Sequence, residues 1–456
     1  MSTADLIARY DRPVPRYTSY PTAPHFSPAV GADRYVAWLR NLAPDEPISL
    51  YIHVPFCERL CLYCGCNTGV VRSEAPRRAY AALLDREIQL VAAHVGRSRV
   101  SHLHWGGGTP TTLPADYLTG LMARVRAEFD LTDGAEIAIE LDPTALPADR
   151  LAALAAMGVT RVSLGVQDLD PAVQAAIGRM QSYEETESCA QAIRAIGVDA
   201  INLDLIYGLP MQSEQSVAET ARRSLGLQAG RVAVFGYAHV PWMKRHQALI
   251  PESILPTAQA RFDQRAAIGR VLEQEGGYLP VGLDHYARPD DALAQAAGSR
   301  RLHRSFQGYT TDAAPALIGI GASAIGCLPQ GYVQNAASVP AYADSIRAGH
   351  AATERGVALS PDDRLRRAVI EQVMCDLRAD LRGIAKAHAA DPTPLLTAAH
   401  ALDGFERDGL VDWDGAVVRV TEAGRLFVRN VAAVFDAYFT HENIDKNSKL
   451  RHAQAV

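Results

Sequence analysis

Four of the chain's seven cysteines, Cys57, Cys61, Cys64 and Cys66, fall within ten positions, while Cys189, Cys327 and Cys375 stand alone. So tight a group reads as a ligand set and not as a disulfide framework, which spreads its cysteines along a short secreted chain. A tetrahedral zinc site usually draws Cys or His pairs from separated segments, and no second CxxC pair follows, which disfavours zinc. The run also lacks the closing Cys-Pro of the bacterial ferredoxin pattern. A third arrangement has Cys57, Cys61 and Cys64 on three irons of a [4Fe–4S] cluster. The fourth iron would then stay open to a ligand, and an open iron means chemistry in addition to electron storage.

Further chemically able groups recur at the ends of apolar runs. His104-Trp105-Gly106-Gly107-Gly108-Thr109-Pro110 closes one of them, and adjacent glycines bring bare backbone N–H groups close to a ligand. Glu140 and Gln167 close two more, and Asp204 interrupts a fourth; a carboxylate in such a run needs partners. Plainer readings stand beside the functional ones: a tight turn for the glycines, a helix cap or an arginine pair for the acids. Their shared position at run ends favours function.

The elements that must position these groups follow a βα rhythm from about residue 48 to 236. Six short β-branched or apolar runs are predicted strands: 48–54, 100–105, 136–141, 162–166, 200–206 and 232–236. Helices fit between them. Tyr80, Leu84, Ile88, Val91 and Val95 fall three or four apart, and Leu151, Leu154 and Met157 repeat that spacing before Gly158 ends the helix. The alternation implies an α/β fold with a parallel sheet. Six units are too few for a closed eight-unit barrel, which leaves an open or partial barrel or a doubly wound sheet. Either places ligands at the carboxyl ends of the strands, where the cysteines and the glycine run lie.

Residues 1–47 break the rhythm and read as an irregular arm, with Arg9, Arg12 and Arg16 beside Tyr10, Tyr17 and Tyr20. Residues 48–355 form the predicted catalytic domain. Residues 356–456 form a predicted third unit, mostly helical and winged-helix-like. In it Ser360 caps a helix beginning at Pro361, and Asp414-Gly415 suits a type I′ hairpin turn between runs 410–413 and 417–420. A last helix is predicted over 421–438, before a polar tail from about His441.

With 456 residues, 48% apolar and 21% charged, the chain has the ordinary globular mix and length for two or three domains. Its formal net charge of −6 offers no general attraction to nucleic acid or anionic lipid, so neither is an expected partner. The longest apolar run, 316–328, is too short and too glycine-rich to span a membrane. The first residues lack a signal-peptide pattern, so the expected location is the cytoplasm, with reduced thiols.

Cys-x3-Cys-x2-Cys with Tyr63 before the third cysteine resembles the radical S-adenosylmethionine (SAM) superfamily. The wider stretch Tyr51-Ile52-His53-Val54-Pro55-Phe56-Cys57 through Cys64-Gly65-Cys66-Asn67 is similar to the oxygen-independent coproporphyrinogen III oxidases. So are Pro15-Arg16-Tyr17-Thr18-Ser19-Tyr20-Pro21-Thr22, residues 284–291, residues 302–309 and the C-terminal unit. The resemblance implies a partial (β/α)6 TIM-like barrel and a [4Fe–4S] cluster on Cys57, Cys61 and Cys64. It implies that SAM is cleaved at the cluster, and that the resulting radical takes a hydrogen atom from a propionate of coproporphyrinogen III. Two propionates each lose CO2 and pass one further electron to an unidentified acceptor to become vinyl groups, giving protoporphyrinogen IX in haem biosynthesis.

The same resemblance assigns residues. Gly107, Gly108 and Thr109 contact the methionine part of SAM; Glu140, Gln167, Arg179 and Asp204 line its site. Tyr51 and Ile325 pack near the adenosyl part, and Ala238 supplies a backbone contact. A second SAM beside the first would touch Tyr63, Gly108, Thr109, Gln167, Arg179, Asp204 and Ala238. Cys66 and Tyr51 are the side chains expected beside the chemistry, although the role of Cys66 stays open between substrate-side chemistry and an apolar filler. Arginine forks suit propionate carboxylates, so Arg9, Arg12 and Arg16 on the arm, and Arg301 and Arg304 with His303, are the candidate substrate contacts. An arm over the site would exclude water. The remaining implied partner is an external low-potential electron donor such as a flavodoxin or ferredoxin, and the expected state is a monomer. Two other readings are a haem chaperone, against which Cys66 and the long arm argue, and a radical SAM methyltransferase.

Overall fold

The computed structural model describes residues 2–439; the predicted polar tail lies outside them. Twelve strands make one mixed sheet: β1 Ile48–Val54, β2 Arg99–Gly107, β3 Asp130–Leu141, β4 Arg161–Gln167, β5 Ala200–Tyr207, β6 Arg231–Gly236, β7 Leu279–Val281, β8 His285–Ala287, β9 Ala316–Ile320, β10 Ile325–Leu328, β11 Gly331–Asn335 and β12 Thr353–Ala358. They are ordered β12-β11-β10-β9-β1-β2-β3-β4-β5-β6-β8-β7. From β9 through β6 neighbouring strands run parallel. The six predicted strands thus lie in sequential order, the arrangement of a partial barrel; a doubly wound sheet would reverse direction midway. Residues after β6 extend both ends, and β9 pairs with β1, so β1 is an interior strand.

Side chains alternate between the two faces of each strand. Leu50, Ile52, Leu103, Trp105, Ile139, Val162, Leu164, Ile201 and Leu203 are fully buried under the crossover helices, each contributing roughly 2 kcal/mol of apolar burial. Helix Glu74–Val95 carries Tyr80, Leu84, Ile88 and Val91 inward, as its spacing predicts. Helix Ala148–Met157 stops at Gly158, whose φ of 72° and ψ of 37° form a left-handed cap. The opposite face of the sheet is polar. Register sets it: Tyr51 lies opposite His104, Glu140 opposite Ser163, and Gly165 opposite Asp204.

A second core joins Leu365, Val369, Val373 and Phe435 with Val14, Tyr17 and Tyr20 from the N-terminal segment. Ser360 caps helix Pro361–Asp376 in a capping box with Asp363. A three-stranded antiparallel sheet, Arg378–Asp380, Val417–Val420 and Val411–Trp413, completes the unit.

Three expectations need correction. Residues 1–47 are not irregular throughout: Thr3–Tyr10 is a helix because Ser2 and Asp5 form a capping box, and Ala32–Arg40 is another with Tyr35, Trp38 and Leu39 buried. The Asp414-Gly415 turn is not type I′, which needs positive φ at both residues. Only Gly415 has it, and the Asp414 carboxylate instead accepts from the N–H groups of Ala416 and Val417. The last helix spans only Val428–Ala433, after a single tight turn at Arg425–Phe427.

Candidate active site

The polar face of the sheet encloses a cavity of about 570 Å³. His104, Glu140, Asp204, Cys66 and Arg304 are among the residues that line it. Cys57, Cys61, Cys64 and Cys66 sit on the loop after β1, at the strands' carboxyl end.

That loop is held from several sides. Thr68 Oγ1 is 3.1 Å and Thr109 Oγ1 3.8 Å from Cys57 Sγ. Arg179 aims Nη1 at Cys61 Sγ across 3.6 Å while its Nη2 donates to the Gly165 carbonyl at 2.8 Å. Beyond β6, Lys244 Nζ reaches the carbonyl of Cys66, His246 Nε2 that of Cys64 and Gln247 Nε2 that of Tyr63, each at 2.8 Å. Hydrogen bonds from the Cys66 side chain and backbone, and after them the nearby charges of His246 and Lys244, draw the Cys64 thiol below its ordinary range despite burial, whereas burial pushes Cys57 up. Thiolate is the form that binds iron. The donor set and its cationic surroundings therefore fit a [4Fe–4S] cluster held by Cys57, Cys61 and Cys64.

The glycine run closes against this loop. Gly108 N–H donates to Val54 O and Thr109 N–H to Phe56 O. A Cβ on Gly108 would fall 2.5 Å from Phe56 O. Gly107 has φ +110°, and a Cβ there would meet the His53 ring at 2.5 Å. Its N–H donates to Glu140 Oε2 at 3.1 Å, while His104 Nε2 lies 3.1 Å from Oε1. Burial alone would raise the Glu140 carboxyl, but the His104 hydrogen bond and charge and the Gly107 N–H hold it below the usual carboxylate range. The N–H groups of Gly107, Gly108 and Thr109 are thus all taken within the chain, against the expectation of bare donors, and the result is a fixed anion on a closed turn, which fits the cationic amino group of SAM.

Around it, Tyr51 stacks on His104 with ring centroids 5.8 Å apart and its hydroxyl is 3.0 Å from His53 Nδ1. Burial, and next the charge of Glu140, push Asp204 up to about 6, although Ser163 and Asn202 donate to it at 3.1 and 2.9 Å. Gln167 ends β4 with φ 66°, a conformation rare outside glycine. Ile325 opens β10 beside Gly319, the partner of Tyr51 on β9, and Ala238 follows β6.

Not every predicted site residue comes to the cavity. Arg9 pairs with Asp408 of the C-terminal unit at 2.6 Å, because its helix packs there through Tyr10 on Phe405. Arg12 lines a separate pocket with Arg9 and Tyr10. Arg301 is exposed and bonds Ser299. These three do not line the cavity. Arg304 and His303 do line the cavity, and Arg16 reaches the Gly236 carbonyl at the end of β6. The reading from sequence missed His53, His104, Ser163 and Asn202, although the alternation of β1 to β5 places them on the polar face. It also missed Lys244, His246 and Gln247, which no local pattern marks.

Residues 51–223 match the family model described as the radical SAM superfamily, and residues 359–427 match that of the HemN C-terminal domain. This is the class that the three thiols on a partial barrel define. Among curated relatives, the oxygen-independent coproporphyrinogen III oxidase of Bradyrhizobium diazoefficiens is 49% identical, covering 99% of this chain and 100% of its own. That of Paracoccus denitrificans is 43% identical, covering 96% and 97%. The solved structure of coproporphyrinogen III oxidase (HemN) from Escherichia coli, a radical SAM enzyme, superposes with TM-score 0.90 at 38% identity, covering 96% of this chain and 99% of that one. The chain belongs to the oxygen-independent coproporphyrinogen III oxidase family. Among the described residues no helix is long and apolar enough to cross a membrane.

Proposed function

We propose that this chain oxidatively decarboxylates two propionates of coproporphyrinogen III without oxygen, giving protoporphyrinogen IX for haem synthesis. The observation that carries the reading is that Cys66 of the thiol loop, Glu140 and Arg304 all line one cavity of about 570 Å³. The cluster and SAM, when bound, supply one-electron chemistry able to remove hydrogen from an unactivated carbon. No side chain here could do so by acid–base means.

The chain's own residues bind and orient. Cys57, Cys61 and Cys64 hold the cluster, steadied by Lys244, His246 and Gln247. Ionised Glu140 fixes the Gly107 turn and would hold the amino group of SAM. Gly108 and Thr109 would contact its methionine part, and Gln167, Arg179 and Asp204 the rest. Tyr51 is held in orientation by His104 and His53 and packs with Ile325 and Ala238 at the adenosyl side. Cys66, on the cavity wall, faces substrate. Arg16 and Arg304 meet propionates, and Thr18 of the N-terminal segment closes over the cavity to limit water.

The proposal includes a monomer working in the cytoplasm with an external low-potential donor, a flavodoxin or ferredoxin. Anaerobic turnover with SAM, reductant and coproporphyrinogen III tests it: protoporphyrinogen IX forms together with 5′-deoxyadenosine and CO2. A methylated tetrapyrrole would indicate a methyltransferase, and tight haem binding without turnover a chaperone.

A further inference from the structure

Four arginines line the large cavity: Arg161, Arg231, Arg304 and Arg367. Three of them have a carboxylate. Arg161 pairs with Glu136 at 2.9 Å, Arg231 with Asp291 at 2.7 Å, and Arg304 has Asp284 3.9 Å away. Arg367, on helix Pro361–Asp376 of the C-terminal unit, takes part in no ion pair among the described residues. Glu371, one turn along the same helix and also on the cavity wall, is engaged elsewhere, 3.1 Å from His303 Nδ1.

The sheet builds the seat of Arg367. Cys327 of β10 and Tyr332 of β11 stand directly opposite in the antiparallel register, so their side chains share one face, and both line the cavity. The guanidinium lies over the Tyr332 ring, 5.3 Å from its centroid, and sends Nη2 towards Cys327 Sγ at 3.5 Å. The ring is fixed in turn, stacked on Phe26 at 5.9 Å and edge-on to Phe306 at 6.4 Å. Ring and sulfur orient the guanidinium, and neither supplies the carboxylate that would pair with it. Arg367 is only half-buried, on the wall of a space of about 570 Å³. Cys327 follows Ile325 by two residues on the same face of β10, about 7 Å further along the strand. Arg367 therefore stands one step out from the residue assigned to the adenosyl side of SAM.

We propose that Arg367 is a substrate contact supplied by the C-terminal unit, pairing with one propionate carboxylate of the tetrapyrrole and so orienting the ring beside the SAM site. The inference rests on the reading of the chain as a coproporphyrinogen oxidase. A planar guanidinium offers two parallel N–H groups, the fork that a carboxylate accepts. The C-terminal unit thereby takes part in the reaction, through the one cavity-lining arginine that has no acid of its own among the described residues.

Two variants test it. Arg367→Met keeps an apolar stem over Tyr332 and removes the charge, while Arg367→Lys keeps the charge without the fork. Both are checked by circular dichroism and thermal melting. Binding of coproporphyrin III and of its uncharged tetraamide is titrated by fluorescence, SAM binding is read by equilibrium dialysis, and KM for coproporphyrinogen III is measured anaerobically. A propionate contact predicts that Arg367→Met binds coproporphyrin III tenfold or more weakly and shows a raised KM, with the tetraamide and SAM bound as by the parent. Arg367→Lys falls between that variant and the parent. Equal weakening towards both porphyrins, which a merely structural arginine would give, overturns the contact, as does no change towards either. Weakening confined to SAM overturns it too, and gives Arg367 to the carboxylate of SAM. If Arg367→Met fails to fold, Arg367→Lys decides by the same comparison of the two porphyrins. If the parent itself makes no protoporphyrinogen IX, the enzyme reading fails first and the contact with it.

Discussion

His246 sets its Nε2 2.8 Å from the carbonyl oxygen of Cys64, a residue 182 positions earlier in the chain. With Lys244 on Cys66 and Gln247 on Tyr63, it fixes the backbone of the thiol loop at three successive points. Groups that orient ligands commonly matter about 10–100-fold for metal affinity. His246→Ala and Gln247→Ala are therefore expected to lose cluster iron to a chelator at least tenfold faster than the parent. Iron and sulfide analysis after anaerobic reconstitution measures it, and unchanged loss would show that the loop holds its shape unaided.

Glu140→Gln removes the charge that His104 and Gly107 N–H share. A charge-assisted hydrogen bond is worth roughly 1.5–3 kcal/mol, so SAM should bind about 10–100-fold more weakly, as read by equilibrium dialysis, with little change in melting temperature. Gly107→Ala should be worse, since its Cβ would stand 2.5 Å from the His53 ring at φ +110°. Gly120, within helix Ala115–Glu128 and with nothing within 4 Å of a Cβ, provides the contrast. Gly120→Ala should stabilise the chain by up to about 1 kcal/mol without touching SAM binding.

The βα rhythm was readable because β-branched runs and Gly or Pro breaks are local signals, and all six predicted strands formed. Glu140 and Asp204 stood out as acids inside apolar runs, the mark of a cavity-facing strand position. Distance in sequence hid the rest. Arg9 and Arg12 have the same composition signal as Arg16, yet packing of Tyr10 on Phe405 carries the first two away. The Lys244-to-Gln247 clamp lies in an irregular stretch with no period to read. The helix at Thr3–Tyr10 was legible in its capping pair, Ser2 and Asp5, and was missed among the prolines that follow it.

Glu87 makes stability depend on pH. It is buried under donors from Tyr342, Gly321 and Asn335, and burial pushes its carboxyl up from 4.5 to about 7 in spite of them. Between those two values the folded chain holds a proton that the unfolded chain has released, so this contribution is full below 4.5 and is lost as pH rises through about 7. The loss amounts to about 3 kcal/mol. Urea denaturation of the parent and Glu87→Gln from pH 4.5 to 7.5 should show the parent's advantage shrinking by about that amount; parallel curves would place the Glu87 proton elsewhere.

The most direct measurement supplies anaerobically reconstituted protein with SAM, a reductant and coproporphyrinogen III, and follows 5′-deoxyadenosine, CO2 and porphyrinogen products together, beside Cys61→Ala. The account predicts two CO2 released for each protoporphyrinogen IX, with deoxyadenosine formed alongside and none of the three products from Cys61→Ala. Deoxyadenosine without CO2, or equal product from the variant, would contradict it.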